Sequence, residues 1–281
     1  MLPLPSIPDA PQSKFALKGV QETLMMTVSC KAEDAKLPRP ILNDPWAGYV
    51  AAQVTYDFSK LQLRPVLWTT IALRAQQLDT WTAAFLKSHE TATVVHLACG
   101  LDARAHRVGF QPTVRWIDVD LPNVIALRKK VLPSPQGDYY IIAASVTDED
   151  WLKAIPTDRP TAVVFEGLTM YLSPQEGGLL ISRLCTHFPS GELIFDCTGW
   201  ITIKLQKDVI WLQSTGAKMK WSIDNPKAIE ALHKGLVLKD DLISFKTPGI
   251  EKLRLGMKIR MRIMAILPVF RYMGRNLRYT F

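Results

Sequence analysis

Two short runs hold the residues best placed to do chemistry. The first, "TVVHLACGLDAR" (residues 93–104), passes from apolar β-formers into a small-residue turn at Gly100 and out into charge; the second, "WIDVDLP" (116–122), ends in Asp118 and Asp120. A glycine turn after a strand lets a ligand lie against bare backbone. In α/β nucleotide binders a carboxylate about twenty residues on holds the ribose, because its two oxygens accept from both hydroxyls; Asp120 stands twenty residues past Gly100. Such a charge-assisted bond is worth about 1.5–3 kcal/mol. Dinucleotide sites need glycine on either side of this one as well, to seat a pyrophosphate and to pack the next helix. Those places are Ala98 and Ala103 here, and the turn carries Asp102, Arg104 and Arg107. The pattern expects a nucleoside without calling for a phosphate. Asp120 is the first candidate for the ribose and Asp118 the second.

These residues must be positioned by the elements around them. Apolar, β-rich runs recur at 93–98, 114–119, 139–144, 161–166 and 192–196, with helical patterns between them. "LPNVIALRKKVL" puts Val124, Leu127 and Val131 on one face; "SPQEGGLLISRLCTHF" opens with Ser173 as N-cap, Pro174 in the first turn and Glu176 three residues past the cap. Strand and helix alternating at this spacing predict an α/β, doubly wound, mostly parallel sheet with ligands at the carboxyl ends of its strands. Residues 1–90 lack the rhythm and read as an N-terminal helical cap, leaving 91–281 as the ligand-binding domain. "ITIKLQKDVIWLQ" reads as a helix and "NLRYTF" as a closing strand.

Composition narrows the classes. The 281 residues are 48% hydrophobic and 21% charged, enough for one large domain. No run reaches signal-peptide or membrane-span character, and Cys30, Cys99, Cys185 and Cys197 show neither disulfide nor metal-ligand spacing. A cytoplasmic protein without bound metal or stable membrane insertion is expected. The net charge of +8 raises nucleic acid as a partner, but no zinc-finger, basic-zipper or aromatic RNA-binding pattern accompanies it. Many cations lie in residues 251–281, interleaved with Leu, Ile and Met, which fits an amphipathic element with a basic outer face. Such elements also bind membrane surfaces or acidic partners.

The runs "VVHLACGLDARAHRV", "WIDVDLPNVIALRKKVL", "VVFEGLTMYLSPQE" and "GELIFD", in this order, resemble the leucine carboxyl methyltransferase superfamily, and more closely its polyketide-synthesis O-methyltransferase branch. The likeness extends to "LNDPWA", "LRAQQLDTW" and the closing "RYMGRNLRYTF", so it covers nearly the whole chain. It implies a seven-stranded class I methyltransferase fold using S-adenosyl-L-methionine, a ligand with a carboxylate, an ammonium, a ribose and an adenine but no phosphate. It further implies that Arg74, assisted by Lys31, pairs with the ligand carboxylate, and that Ala98, Cys99 and Gly100 lie against the methionine portion. Glu166 then sits near the ammonium, and Ser145 and Val146 stand where relatives read the adenine with an Asp-Leu pair. Serine for aspartate costs about 1–2 kcal/mol of binding.

Methyl transfer from a sulfonium is an in-line displacement governed by alignment. A carboxylate acceptor needs no base, whereas a phenol or enol benefits from one. None of the five histidines is placed by sequence to serve, so no catalytic residue is assigned. Trp46, Tyr49 and Tyr171 are candidates to line a pocket for a small-molecule acceptor. Two other classes stay open: a methyltransferase fold with lost or repurposed transfer, such as a cyclase, and a nicotinamide-dependent dehydrogenase.

Overall fold

The computed structural model describes residues 19–281; the first part of the expected cap lies outside them. In chain order the elements are α1 (Thr23–Ala35), α2 (Pro45–Gln53), α3 (Pro65–Ser88), β1 (Ala92–Leu97), α4 (Arg104–Val108), β2 (Val114–Asp120), α5 (Pro122–Val131), β3 (Asp138–Ala143), α6 (Asp150–Lys153), β4 (Thr161–Phe165), α7 (Pro174–His187), β5 (Gly191–Cys197), α8 (Trp200–Leu205), α9 (Ile210–Thr215), β6 (Val237–Ile243), α10 (Leu255–Ile266) and β7 (Arg275–Thr280).

β1 and β4 read as unbroken apolar runs because helices cover both faces of the sheet, and every residue of the two strands is buried. The strands form one seven-stranded sheet in the order β3-β2-β1-β4-β5-β7-β6. The first five run parallel, and β7 lies antiparallel between β5 and β6. The order reverses between β1 and β4, which opens a crevice at their carboxyl ends.

One core cluster joins Val95, Leu97 and Phe165 to α7 through Leu180, Ile181 and Leu184. On the other face Val94, Trp116 and Val164 pack against Leu78, Trp81 and Phe85 of α3. α3 also contacts β4, β5 and β7, while α1 crosses α2 and α3. α3 thus shares the core of the sheet, whereas α1 and α2 pack in a separate cluster with Leu101, Leu127 and Val131. α7 starts as expected: the Ser173 side chain accepts from the Glu176 N–H and the Glu176 carboxylate accepts from the Ser173 N–H, a reciprocal cap worth about 1 kcal/mol.

Two expectations after residue 200 change. The single helix is broken into α8, a 3-10 turn over Gln206–Asp208 and α9. Ile201, Thr202, Ile203, Val209 and Ile210 are β-branched and favour helix weakly. The Gln206 amide bonds both the N–H and the carbonyl of Met219, tying the break to the following chain. β6, which the sequence reading did not identify, adds an edge strand in partial alternation of exposure.

Candidate functional site

A cavity of about 520 Å³ opens where the sheet order reverses. Ala98, Cys99 and Gly100 enter it from the turn after β1, Asp120 from the end of β2, Ser145 and Val146 from beyond β3, and Glu166 from the end of β4. Lys31 of α1, Arg74 of α3 and Tyr171 complete this group. Nine of the residues expected to hold a ligand therefore line one cavity, together with Tyr171 as pocket wall; Asp118 belongs elsewhere, as do Trp46 and Tyr49.

The turn is built by backbone geometry. Ala98 has φ 48° and Gly100 φ 51°, so two left-handed residues flank Cys99. An L-residue pays about 1–2 kcal/mol in that region, which locates the strain at Ala98. The Asp120 carboxylate braces the turn, accepting from the Gly100 N–H and the Leu121 N–H at 2.7 Å each. Arg128 of α5 clamps the other side, donating to the carbonyls of Gly100 at 3.0 Å and Asp102 at 2.8 Å. Burial raises the Asp120 carboxyl, against the lowering effect of its two backbone donors.

Asp118 has a different job. It is completely buried and accepts from Arg128 at 2.5 Å, Tyr139 Oη at 2.5 Å, Trp116 Nε1 at 3.0 Å and His96 Nδ1 at 3.2 Å. Burial would raise its carboxyl, but Arg128 and His96 outweigh it and hold it well below the usual range. Its four donors fill it, and it does not line the cavity. The correction has a simple cause: at about 3.3 Å per residue a side chain two positions back lies roughly 7 Å beneath the strand end.

The charged end of the cavity is a buried network. Arg74 donates to Glu166 at 3.0 and 3.3 Å and to Asp196 at 2.9 Å. Lys31 lies 3.4 Å from Glu166 and 3.1 Å from Asp102. Arg104 bonds Glu166 and Asp79, and Arg107 bonds Asp79, Asp44 and Asp102. Burial works against ionisation of Glu166, yet Lys31, Arg74 and Arg104 overcome it and keep the carboxylate ionised. Asp196, by contrast, is raised by burial despite Arg74. Sequence reasoning missed Asp196, Asp79 and Arg128; the two aspartates are isolated charges in an apolar and a helical run, Arg128 is one of three consecutive cations, and only the fold brings them together.

His96 lines the cavity but both ring nitrogens are engaged. Nδ1 donates to Asp118, so Nε2 accepts from Arg104 at 3.1 Å. This fixes a neutral tautomer, and burial lowers its pKa further. His106 stacks on Trp46 with ring centroids 4.2 Å apart and bonds the Pro133 carbonyl. Trp46 is thus committed to packing, with Tyr49 edge-on against it at 5.9 Å; neither reaches the cavity. The far wall is apolar instead, with Met170, Trp211, Leu212, Met219, Phe245 and Met273, interrupted by Thr198, Thr202 and Ser244. Burial pushes the Tyr171 phenol up to about 12, leaving it neutral at physiological pH.

Comparison with known proteins gives this geometry its family. The leucine carboxyl methyltransferase model matches residues 23–185. The tetracenomycin polyketide synthesis O-methyltransferase TcmP of Streptomyces glaucescens is 40% identical over 265 residues, 94% of this chain and 98% of that protein. The S-adenosyl-L-methionine-dependent methyltransferase dpfgK of Gibberella zeae is 35% identical over 82% of this chain and 84% of that protein. Among solved structures, a proposed methyltransferase from Thermobifida fusca YX has TM-score 0.58 at 15% identity, over 89% of this chain and 93% of that one. A duf574 family protein from Streptomyces avermitilis has TM-score 0.58 at 14% identity, over 89% and 96%. The two solved structures share the fold, and the dehydrogenase alternative falls away. The chain belongs to the leucine carboxyl methyltransferase family and is a methyltransferase that uses S-adenosyl-L-methionine.

Proposed function

We propose that this enzyme methylates an oxygen, carboxylate or hydroxyl, of an apolar small molecule of the kind made in polyketide or other secondary metabolism. The observation that carries the reading is the two-ended cavity, with buried charge at the strand ends and a methionine- and aromatic-lined wall opposite. The relative named for polyketide O-methylation supports the acceptor class.

The charged end suits the cofactor's functional groups. Arg74 spends three N–H donors on Glu166 and Asp196 and has five, so its remaining donors, with Lys31, would take a ligand carboxylate. Glu166, kept ionised by its cations, would face the ammonium. Ala98, Cys99 and Gly100 would seat the methionine chain, Asp120 would accept from the ribose, and Ser145 and Val146 would border the adenine. When bound, S-adenosyl-L-methionine supplies an electrophilic methyl group. The chain's own part is then to align the acceptor oxygen and keep water out. α1 and α3, from the segment ahead of β1, would close the cavity over the ligand.

With both nitrogens of His96 engaged by Asp118 and Arg104 and the Tyr171 phenol neutral, the lining supplies no ready imidazole base. An acceptor already anionic near neutral pH, a carboxylate or an acidic phenol, fits best. The test is incubation with S-adenosyl-L-methionine and a panel of polycyclic aromatic acids, their methyl esters and phenols, read by mass spectrometry. Gain of one methylene unit on an acid but not on its ester supports the reading. Cofactor binding with no product across the panel would favour a repurposed fold.

A further inference from the structure

We propose that α10 docks the enzyme on an anionic lipid surface. Leu255, Ile259, Ile263 and Ile266 recur at three- and four-residue steps and are 72%, 48%, 53% and 76% exposed. At about 100° per residue they fall within an arc of about 80°. Arg262 and Lys258 border that arc on one side and Arg260 on the other, with Arg254 one residue before the helix. None of these four cations makes an ion pair with another described residue, whereas Arg275 and Arg278 nearby pair with Asp241 and Asp240. Leu267 and Val269 continue the exposed apolar surface into the next turn.

The charge distribution matches this face. Residues 252–281 contain eight Lys and Arg and no acid, whereas residues 1–251 hold 26 of each sign. The whole net charge of +8 therefore sits in the segment that carries the exposed aliphatic row. Long aliphatics flanked by cations, lying flat, are what an interfacial helix needs: the row enters the acyl boundary while the cations meet lipid phosphates. A second copy is a poor occupant, since a two-fold contact would bring Arg260 and Arg262 against their own equivalents. An acidic protein fits less well than lipid, because the row contains no aromatic or hydrogen-bonding side chain of the sort that anchors protein interfaces.

The buried side of the same helix connects the surface to the cavity. Met261 and Ala265 pack with Phe245, Met257, Met264 and Met273, and Phe245 and Met273 also line the cavity. Docking would hold the cavity wall within about one helix diameter, roughly 10 Å, of the lipid. On the reading of the acceptor as apolar, this places the enzyme where such a molecule partitions; the docking itself does not depend on that reading.

The experiment is co-sedimentation of the full chain with vesicles of phosphatidylglycerol and phosphatidylcholine, against phosphatidylcholine alone, at low and high salt. The wild type should pellet with the anionic vesicles and release as salt rises. The pair Ile259→Ser and Ile263→Ser should lower the partition coefficient at least tenfold, and Arg260→Gln with Arg262→Gln about tenfold or more, with a weaker salt dependence. Both pairs are on the surface and should keep the wild-type melting temperature and S-adenosylhomocysteine affinity, which separates failure of docking from failure of the cofactor site. Absence of wild-type partitioning, or partitioning unchanged by both pairs, overturns the proposal. So does self-association in sedimentation velocity that the isoleucine pair abolishes, which would assign the face to a second copy.

Discussion

Asp118 and Asp120 stand two residues apart on β2 and should fail in opposite ways. Replacing Asp118 with Asn removes the charge facing Arg128, a fully buried partner held at 2.5 Å, and turns an NH2 group toward donors from Trp116, His96 or Tyr139. Breaking a buried pair from one side costs about 3–5 kcal/mol. With total stabilities of about 5–15 kcal/mol, that is a large share, and at roughly 2–4 °C per kcal/mol it lowers Tm by about 6–20 °C. Arg128 also clamps the Gly100 and Asp102 carbonyls, so any loss of ligand affinity would be secondary to the loss of stability. Asp120→Asn keeps an oxygen for one of the two backbone donors and should cost about 1 kcal/mol of stability. Its loss appears in binding, about 1.5–3 kcal/mol or roughly ten- to 150-fold in Kd for S-adenosylhomocysteine. Differential scanning calorimetry and calorimetric titration on both variants read the two quantities separately. Asp118→Asn with unchanged Tm and abolished binding would refute the assignment of the two aspartates.

Three further outcomes follow from local geometry. Ala98→Gly relieves a left-handed φ of 48° and should raise stability by about 1 kcal/mol or less; a fall in Tm would show that the methyl group's packing against the strand-end core matters more. Gly177→Ala builds a Cβ 2.0 Å from the Trp221 ring and should cost about 1–3 kcal/mol or more by overpacking, whereas Gly256→Ala, with nothing within 4 Å, should be tolerated or stabilising. In pH scans, Asp118, Asp102 and Glu166 carry folded pKa values below their ordinary 3.8, 3.8 and 4.5. Their stabilisation is complete above those values and is lost as pH falls toward the folded ones, so melting temperatures should drop below about pH 4. Asp44, Asp120 and Asp196 are raised by burial and act in the opposite sense, their stabilisation present at low pH and lost as pH rises through the folded values. A Tm that rises continuously from pH 4 to 8 would contradict this balance.

The sheet was legible because its central strands are buried on both faces and therefore spell themselves out as apolar runs between capped helices. Five such runs predict β1 to β5 to within about a residue or two at each end, and the Ser173 to Glu176 cap marks the start of α7. β6 escaped because "VLKDDLI" is an edge strand with three consecutive charges, Asp240 sharing the half-buried side with Leu238 and Leu242, which breaks the apolar run. The helix after residue 200 was overread because a continuous apolar texture hides a break fixed by Gln206 and Met219. Of the residues that line the cavity, Gly100 and Asp120 were legible from strand position, whereas Lys31, Arg74, Ala98, Cys99, Ser145, Val146 and Glu166 entered through the family resemblance. Trp46 and Tyr49 were misplaced because an aromatic on a helix packs as readily on a neighbouring ring, here His106, as on a ligand. Trp211 lines the cavity although nothing in its local sequence separates it from a core residue. The basic segment 251–281 was read as a charged outer face; α10 instead also exposes Leu255, Ile259, Ile263 and Ile266.

The central claim, that the cavity over β1 and β4 holds the methyl donor, is tested most directly by calorimetric titration with S-adenosyl-L-methionine and S-adenosylhomocysteine, on the wild type and on Arg74→Ala and Asp120→Ala. Micromolar binding of both ligands, weakened at least tenfold by each substitution in protein that still melts cooperatively, is the predicted result. Absence of binding to the wild type, or binding that neither substitution alters, would contradict it.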